Sequence, residues 1–243
     1  MNEIIRQLHS RKSVRVFEDR DIPENIVNEI LEAACQAPTA GNQQLYTVIR
    51  VTDESLLDRL SESCDHQPFI KEAKLVLVFC ADCLKWQKAY EYCGCDPRKP
   101  GAGDLVLAVT DAAIAAQNAV VAAWSFGIGS CYIGDILENC EEQRDILGIP
   151  EYVMPAAMLV FGYPTEQQKK RVKPPRSGLE YVVSENRYPE MDAEYIRGML
   201  EPKTGGKDHE AWVKAFFRRK YDSDFSREMS RSVEKYLEQY RGK

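Results

Sequence analysis

The sequence predicts a layered αβ domain with helices packed on a sheet, and three observations carry that reading. Two apolar runs, residues 75–80 and 153–161, have the length and branched content of buried strands. Helical periodicity alternates with them: residues 24–36 place Ile26, Val27, Ile30, Leu31 and Ala34 on one face. At 243 residues the chain is long enough to bury one substantial core, since single domains reach about 250 residues.

The helix over residues 24–36 follows Pro23 and stops before Pro38, as fits helix limits. Residues 45–52 are rich in β-branched side chains and read as a strand. Residues 75–80, bounded by charges, read as a central strand covered on both faces. Residues 104–124 are apolar nearly all round. Ala108, Ala112, Ala115, Ala116 and Ala119 permit close approach there, which predicts a buried central helix ending before Gly127. A short strand over residues 130–133 is framed by glycines, a helix over 141–147 stops at Gly148, and the strand over 153–161 breaks at Gly162-Tyr-Pro164. Beyond Arg176, residues 181–195 are polar and irregular. The charged helical stretches 208–220 and 226–240 have too few apolar positions for a core of their own. The expected organisation is a core over residues 1–180 and an extension over 181–243, in the same domain, wrapping that core or a second subunit.

Composition excludes several classes of partner. A formal charge of -6 opposes nucleic-acid binding, which needs a broad basic surface. No run is expected to reach the roughly 18–20 apolar residues of a membrane span. The N-terminus has no basic stretch followed by an apolar one, so a cytoplasmic location is expected. The eight cysteines are then reduced thiols, with Cys35, Cys131 and Cys140 expected as buried small hydrophobes.

Against that acidic background two basic clusters stand out, Arg11-Lys12-Ser13-Val14-Arg15 and Arg171-Val-Lys173-Pro-Pro-Arg176. Together they read as two halves of a clamp for a small phosphorylated ligand, because guanidinium forks, ammonium groups and a hydroxyl are what a phosphate monoester needs. Each segment taken alone is better read as a solvated basic turn. Thr39-Ala-Gly41-Asn-Gln-Gln44 suits either a helix end or close approach to a flat ligand with a polar edge. Residues 127–135 are glycine-rich, but the spacing is not that of a dinucleotide fingerprint. Cys80, Cys83, Cys93 and Cys95 lie at spacings open to a zinc or iron–sulfur site, or to inert thiols. His9, His66 and His209 have no triad or metal spacing and read as surface residues.

Taken in order, these pieces resemble the FMN-dependent nitroreductase family, and within it the oxygen-insensitive NADPH nitroreductase and NADPH-flavin oxidoreductase group. The matching stretches are Arg11-Lys-Ser-Val-Arg-Val-Phe17, Ala37-Pro-Thr-Ala-Gly-Asn-Gln-Gln44, Gln67-Pro-Phe69, Leu77-Val-Phe-Cys-Ala-Asp82, Asp111-Ala-Ala-Ile-Ala-Ala-Gln-Asn118, Gly127-Ile-Gly-Ser-Cys-Tyr-Ile-Gly134 and Phe161-Gly-Tyr-Pro164 with Lys173. The resemblance implies an α+β three-layer fold, a central mixed sheet flanked by helices, and a C-terminal tail that wraps an intertwined homodimer. It implies FMN held at its phosphate by Arg11, Lys12, Ser13, Lys173 and Arg176. Arg15 would face the pyrimidine edge, Thr39, Gln44, Gln67 and Phe69 the ribityl or ring edges, and Tyr132, Ile133, Gly134 and Asp135 the region of N5. It also implies ping-pong reduction of nitroaromatics, quinones or free flavin by NADPH or NADH, with no protein nucleophile. Lys203 and Lys207 would meet the NADPH 2′-phosphate from a polar loop. The alternatives are a dehalogenase or enoate reductase on the same scaffold, or a non-catalytic module built on the cysteine cluster.

Overall fold

The computed structural model describes residues 1–241. These fall into two compact units, one of Met1–Arg171 with residues 228 onward and one of Val172–Arg227, where the sequence suggests a single boundary after residue 180.

The first unit is built on a four-stranded sheet with spatial order β1 (Tyr46–Val51), β2 (Leu75–Asp82), β4 (Val153–Gly162), β3 (Gly129–Ile133). All neighbouring strands pair antiparallel; a parallel pairing enters through one isolated bridge, Ser13 with Ser130. Every residue of β2 is buried, as expected of a central strand covered on both faces. Its side chains alternate between two cores. Leu75, Leu77 and Phe79 join Leu159 and Phe161 of β4 against helices α2 (Glu24–Cys35) and α5 (Ala102–Ser125). Val76, Val78 and Cys80 join Met158 and Val160 on the opposite face, with Leu60 of α3 (Glu54–Ser63) and Ile146 of α6 (Cys140–Leu147). The result is three layers: helices, sheet, helices.

Helix α5 turns its alanines, Ala108, Ala112, Ala115, Ala116 and Ala119, into the core, but it is not buried all round as the sequence suggests. Val106 and Leu107 are 64% and 49% exposed. By length and composition α5 would also span a membrane, which corrects the expectation that no segment does. Its packing on α2 and the sheet, with nine of its residues buried, is that of a core helix in a globular protein. Helix α1 (Glu3–Ser10) likewise exposes Ile4, Ile5 and Leu8. Cys35, expected inside, is exposed at the end of α2.

At the sheet's β1 margin, Leu45 O accepts from Asp82 N at 3.0 Å. Lys85, on α4 (Leu84–Tyr92), donates from Nζ to Tyr46 O at 2.6 Å. The C-terminal helix begins in the second unit, and from Glu228 on it belongs to the first. There Tyr236 and Tyr240 are 1% and 3% exposed, in a third core with Leu45, Leu105 and Met154. Ser232 accepts from Cys140 N, and Arg231 pairs with Glu141 and Glu228.

The second unit is helical. A short 3-10 turn over Leu179–Tyr181 precedes two helices, Ala193–Thr204 and His209–Lys220, whose first turns are capped by the carboxylates of Asp192 and Asp208. Thr204 is its single buried residue. Aromatic pairs lie at its surface, with Trp212 and Phe216 stacked at 5.0 Å.

Candidate functional site

Residues 11–17 leave α1 as an extended segment laid against the ends of β3 and β4. Val14 N donates to Ser130 O at 2.9 Å, and Phe17 bridges to Pro164. Two glycines permit this contact. A Cβ on Gly129 would lie 2.5 Å from Val14 Cγ2, and one on Gly162 would lie 2.6 Å from Phe17 Cδ1. Val14 is thereby buried at 1%, while Arg15, next along the alternation, stays exposed. The segment is fastened from its other side as well. Lys12 Nζ donates to the carbonyls of Lys169 (2.7 Å) and Arg171, and the Arg171 guanidinium donates to Ser13 O. The Lys12 ammonium thus closes the C-terminal end of the short helix Glu166–Lys170.

The outward groups converge on β3. Burial pushes the Cys131 thiol up in pKa, opposed by the charge of Arg15, the Ser13 hydroxyl and Arg11. Desolvation likewise raises the Tyr132 phenol, and Arg11 pulls it back. The Arg15 guanidinium stands 6.0 Å from the centre of the Phe69 ring, and Tyr132 Oη donates to Gln117 Oε1 at 3.3 Å. Gln67 donates from Nε2 to Asp135 Oδ2 at 2.6 Å and to Cys64 O at 2.7 Å. Ile133 is 2% exposed and belongs to the core, whereas Gly134 is exposed, and a Cβ there would meet nothing within 4 Å. The Arg11 guanidinium and the Ser13 hydroxyl suit a phosphate monoester. A carboxamide, a phenyl ring and bare backbone beside open space suit a flat heteroaromatic ring.

Thr39 and Gln44 occupy a separate loop. Gln44 N donates to Thr39 Oγ1 at 3.2 Å, and the loop is held by Asp111 of α5, which accepts from Ala40 N at 3.0 Å and Leu45 N at 3.2 Å. Beside it lies a cavity of about 400 Å³ lined by Gln43, Leu45, Trp86, Tyr90 and Cys95. Asp111, 3% exposed, is absent from the sequence-derived site residues, although a carboxylate in the middle of an apolar helix is a signal that could have found it.

The cysteines do not form a cluster. Cys80 and Cys83 are buried, their thiols pushed up to about 12 and about 11 by burial, while Cys93 and Cys95 are exposed. Among the described residues no three His, Cys, Asp or Glu side chains gather so as to hold a metal ion. Lys173, Arg176, Lys203 and Lys207 all lie in the second unit. Lys173 is half-buried and the other three are exposed. Lys203 is not in a loop as expected but in the last helical turn before Gly205, which takes the left-handed conformation at φ 59°.

The profile of the family described as "Nitroreductase family" matches residues 8–163, a span that includes the docked segment, Gln67 and the end of β3. The chain belongs to the nitroreductase family. It is 29% identical over 232 residues to the FMN reductase [NAD(P)H] of Bacillus subtilis, covering 91% of this chain and 93% of that one. To the oxygen-insensitive NADPH nitroreductase of Salmonella typhimurium it is 32% identical over 196 residues, covering 81% and 79%. The solved structure of NfrA2 from B. megaterium superposes with a TM-score of 0.83 at 29% identity, over 97% of this nitroreductase-family chain and 98% of the other.

Proposed function

We propose that this nitroreductase-family chain is an FMN-dependent NAD(P)H oxidoreductase that reduces nitroaromatics, quinones or free flavin in a two-electron, ping-pong reaction. The observation that carries the reading is the convergence of Arg11, Ser13 and Arg15 on Cys131 and of Arg11 on Tyr132, with Phe69 facing Arg15 and Gln67 bonded to Asp135. It is supported by relatives named FMN reductase and NADPH nitroreductase over most of their length.

The donor set fits FMN. Arg11 and Ser13 offer the phosphate charge-assisted hydrogen bonds, and Arg15 sets a cation where the ring's pyrimidine edge gains negative charge. Gln67 presents its carboxamide to the ring edge, and the backbone from Tyr132 to Asp135 leaves space beside Gly134. FMN, when bound, supplies the two-electron carrier between NAD(P)H and the acceptor. No side chain serves as a covalent nucleophile in this scheme. Lys12, occupied with the carbonyls of Lys169 and Arg171, acts by holding the segment in place. Lys173 and Arg176 for the FMN phosphate, and Lys203 and Lys207 for the NADPH 2′-phosphate, enter the reading on the sequence alone.

The enzyme works as a homodimer in the cytoplasm. The apolar side chains that α1 and α5 expose, Ile4, Ile5, Leu8, Val106 and Leu107, favour cover by a second copy, to which Thr39 and Gln44 of one protomer and the β3 end of the other would each contribute part of the site.

The visible spectrum of the purified protein, before and after anaerobic NADPH, tests this reading. Flavin bands that bleach on addition are expected. A colourless protein that binds no added FMN would overturn it.

A further inference from the structure

Behind the Gln67–Asp135 hydrogen bond lies a carboxyl group for which the reading above has no use. Glu138 closes the 3-10 turn Gly134–Leu137, its N–H donating to Asp135 O at 3.0 Å. It is 7% exposed, and its Oε1 is buried with no hydrogen-bond partner. The titratable groups around it are acidic: Asp135 on the same turn, Asp65 just ahead of Gln67, Glu228 on the C-terminal helix, and the buried Cys64 thiol. Glu228 is itself engaged by Arg231, Ser232 and Asn139 N, so its charge is held elsewhere.

Gln67 is delivered to this place by a turn of unusual geometry. Asp65 and His66, neither of them glycine, take φ values of 61° and 50°. Such backbone persists where surrounding contacts determine it, and it concentrates at functional positions. Gln67 is then fixed through its side chain, Nε2 donating to Cys64 O and to Asp135 Oδ2, and through its backbone, the N–H donating to Ser61 O and the carbonyl accepting from Ser61 Oγ and Ile70 N. The Asp135 carboxylate is the one member of that set with an acidic neighbour at its back.

We propose that Glu138 is a positioning residue for the flavin site: as the neutral acid it donates a hydrogen bond to Asp135, leaving the carboxylate free to hold the Gln67 carboxamide at the ring edge. Two carboxyl groups in such contact do not both ionise, and the more desolvated one keeps the proton. Burial, then the charge of Asp135, raises Glu138 to about 7. Below that pH the pair shares one proton and Gln67 is held. Above it the two carboxylates repel, Asp135 turns away, and Gln67 is released. The proposal rests on the FMN reading, because Gln67 matters here as a flavin contact.

The test is FMN binding to the apoprotein, followed by flavin fluorescence, in wild type and Glu138→Gln at about pH 6 and about pH 8.5. In wild type, Kd is expected to rise about tenfold across this interval, in keeping with one linked proton. In Glu138→Gln, whose amide donates at every pH, Kd is expected to stay constant and close to the wild-type value at the lower pH. Thermal unfolding of both apoproteins supplies a readout free of flavin: because a raised carboxyl loses stability from its ordinary value of 4.5 up to about 7, the Gln variant should gain on wild type between the lower and the higher pH. Parallel Kd profiles in the two proteins would overturn the positioning role. A wild type that binds no FMN at either pH, while unfolding cooperatively, would overturn the flavin reading instead.

Discussion

In the unit of Met1–Arg171 the side chains of β2 and β4 alternate into two filled cores, whereas in Val172–Arg227 a single residue, Thr204, is buried and aromatic rings stack at the surface. Helices of the second unit are capped by Asp192 and Asp208 while α2 and α6 of the first have no side-chain cap, so the difference lies in what the helices have to pack on. A sheet offers two broad faces that fill continuously; a pair of short helices offers one seam. Stability and the placement of the β3 site therefore originate in the first unit, and substitutions should divide accordingly.

The largest contrast is between Phe79 and Trp212. Phe79→Ala empties a fully buried position and should cost about 3–5 kcal/mol, while Trp212→Ala should cost less than about 1 kcal/mol, both read by urea denaturation. Comparable losses would break the distinction. Next comes the weld between the basic segment and β3. Gly129→Ala, whose Cβ would meet Val14 at 2.5 Å, should destabilise by about 1–3 kcal/mol and weaken FMN binding. Adding Val14→Ala should recover part of both losses if the contact is as described, and simple additivity would show that it is not.

The smallest effect is expected at the exposed ion pairs that tie the C-terminal helix to α6. Arg231 holds Glu141 and Glu228 down to about 2 from an ordinary value of 4.5. Depressed carboxylates contribute stability above the ordinary value and lose it as pH falls through the lowered one. Acidification from about pH 5 toward about pH 2 should therefore destabilise wild type more than Arg231→Ala, by a margin that shrinks in high salt. Equal acid sensitivity would mean that these pairs tie nothing down.

The buried strands were legible because β2 and β4, covered on both faces, present continuous apolar runs that few other structures explain. The basic segment was legible because its members are contiguous. Other features depend on partners distant in sequence. Gln67 and Asp135 are separated by 68 positions, and Glu138 becomes unusual only once the chain folds over it. Helix α5 misled in a different way, since hydropathy does not distinguish alanines that pack on a sheet from Val106 and Leu107 that face outward. Cys35 lies one residue, roughly 100° of helical turn, past buried Ala34, which is enough to turn it to solvent. The return of the C-terminal helix was signalled by Tyr236 and Tyr240, four residues apart, though two side chains are too few to identify the core they would enter.

The open margin of the sheet carries one further consequence. Because Leu45 O is turned inward to Asp82 N, the next carbonyl, Tyr46 O, points away from the sheet, and Lys85 has already taken it. A strand from a neighbouring molecule arriving at this border would find a charged ammonium where it needs a free acceptor, so pairing is opposed at this end of β1. A lysine that donates to the carbonyls of Gln44 and Tyr46 thus blunts this end of the border as a template for further strands.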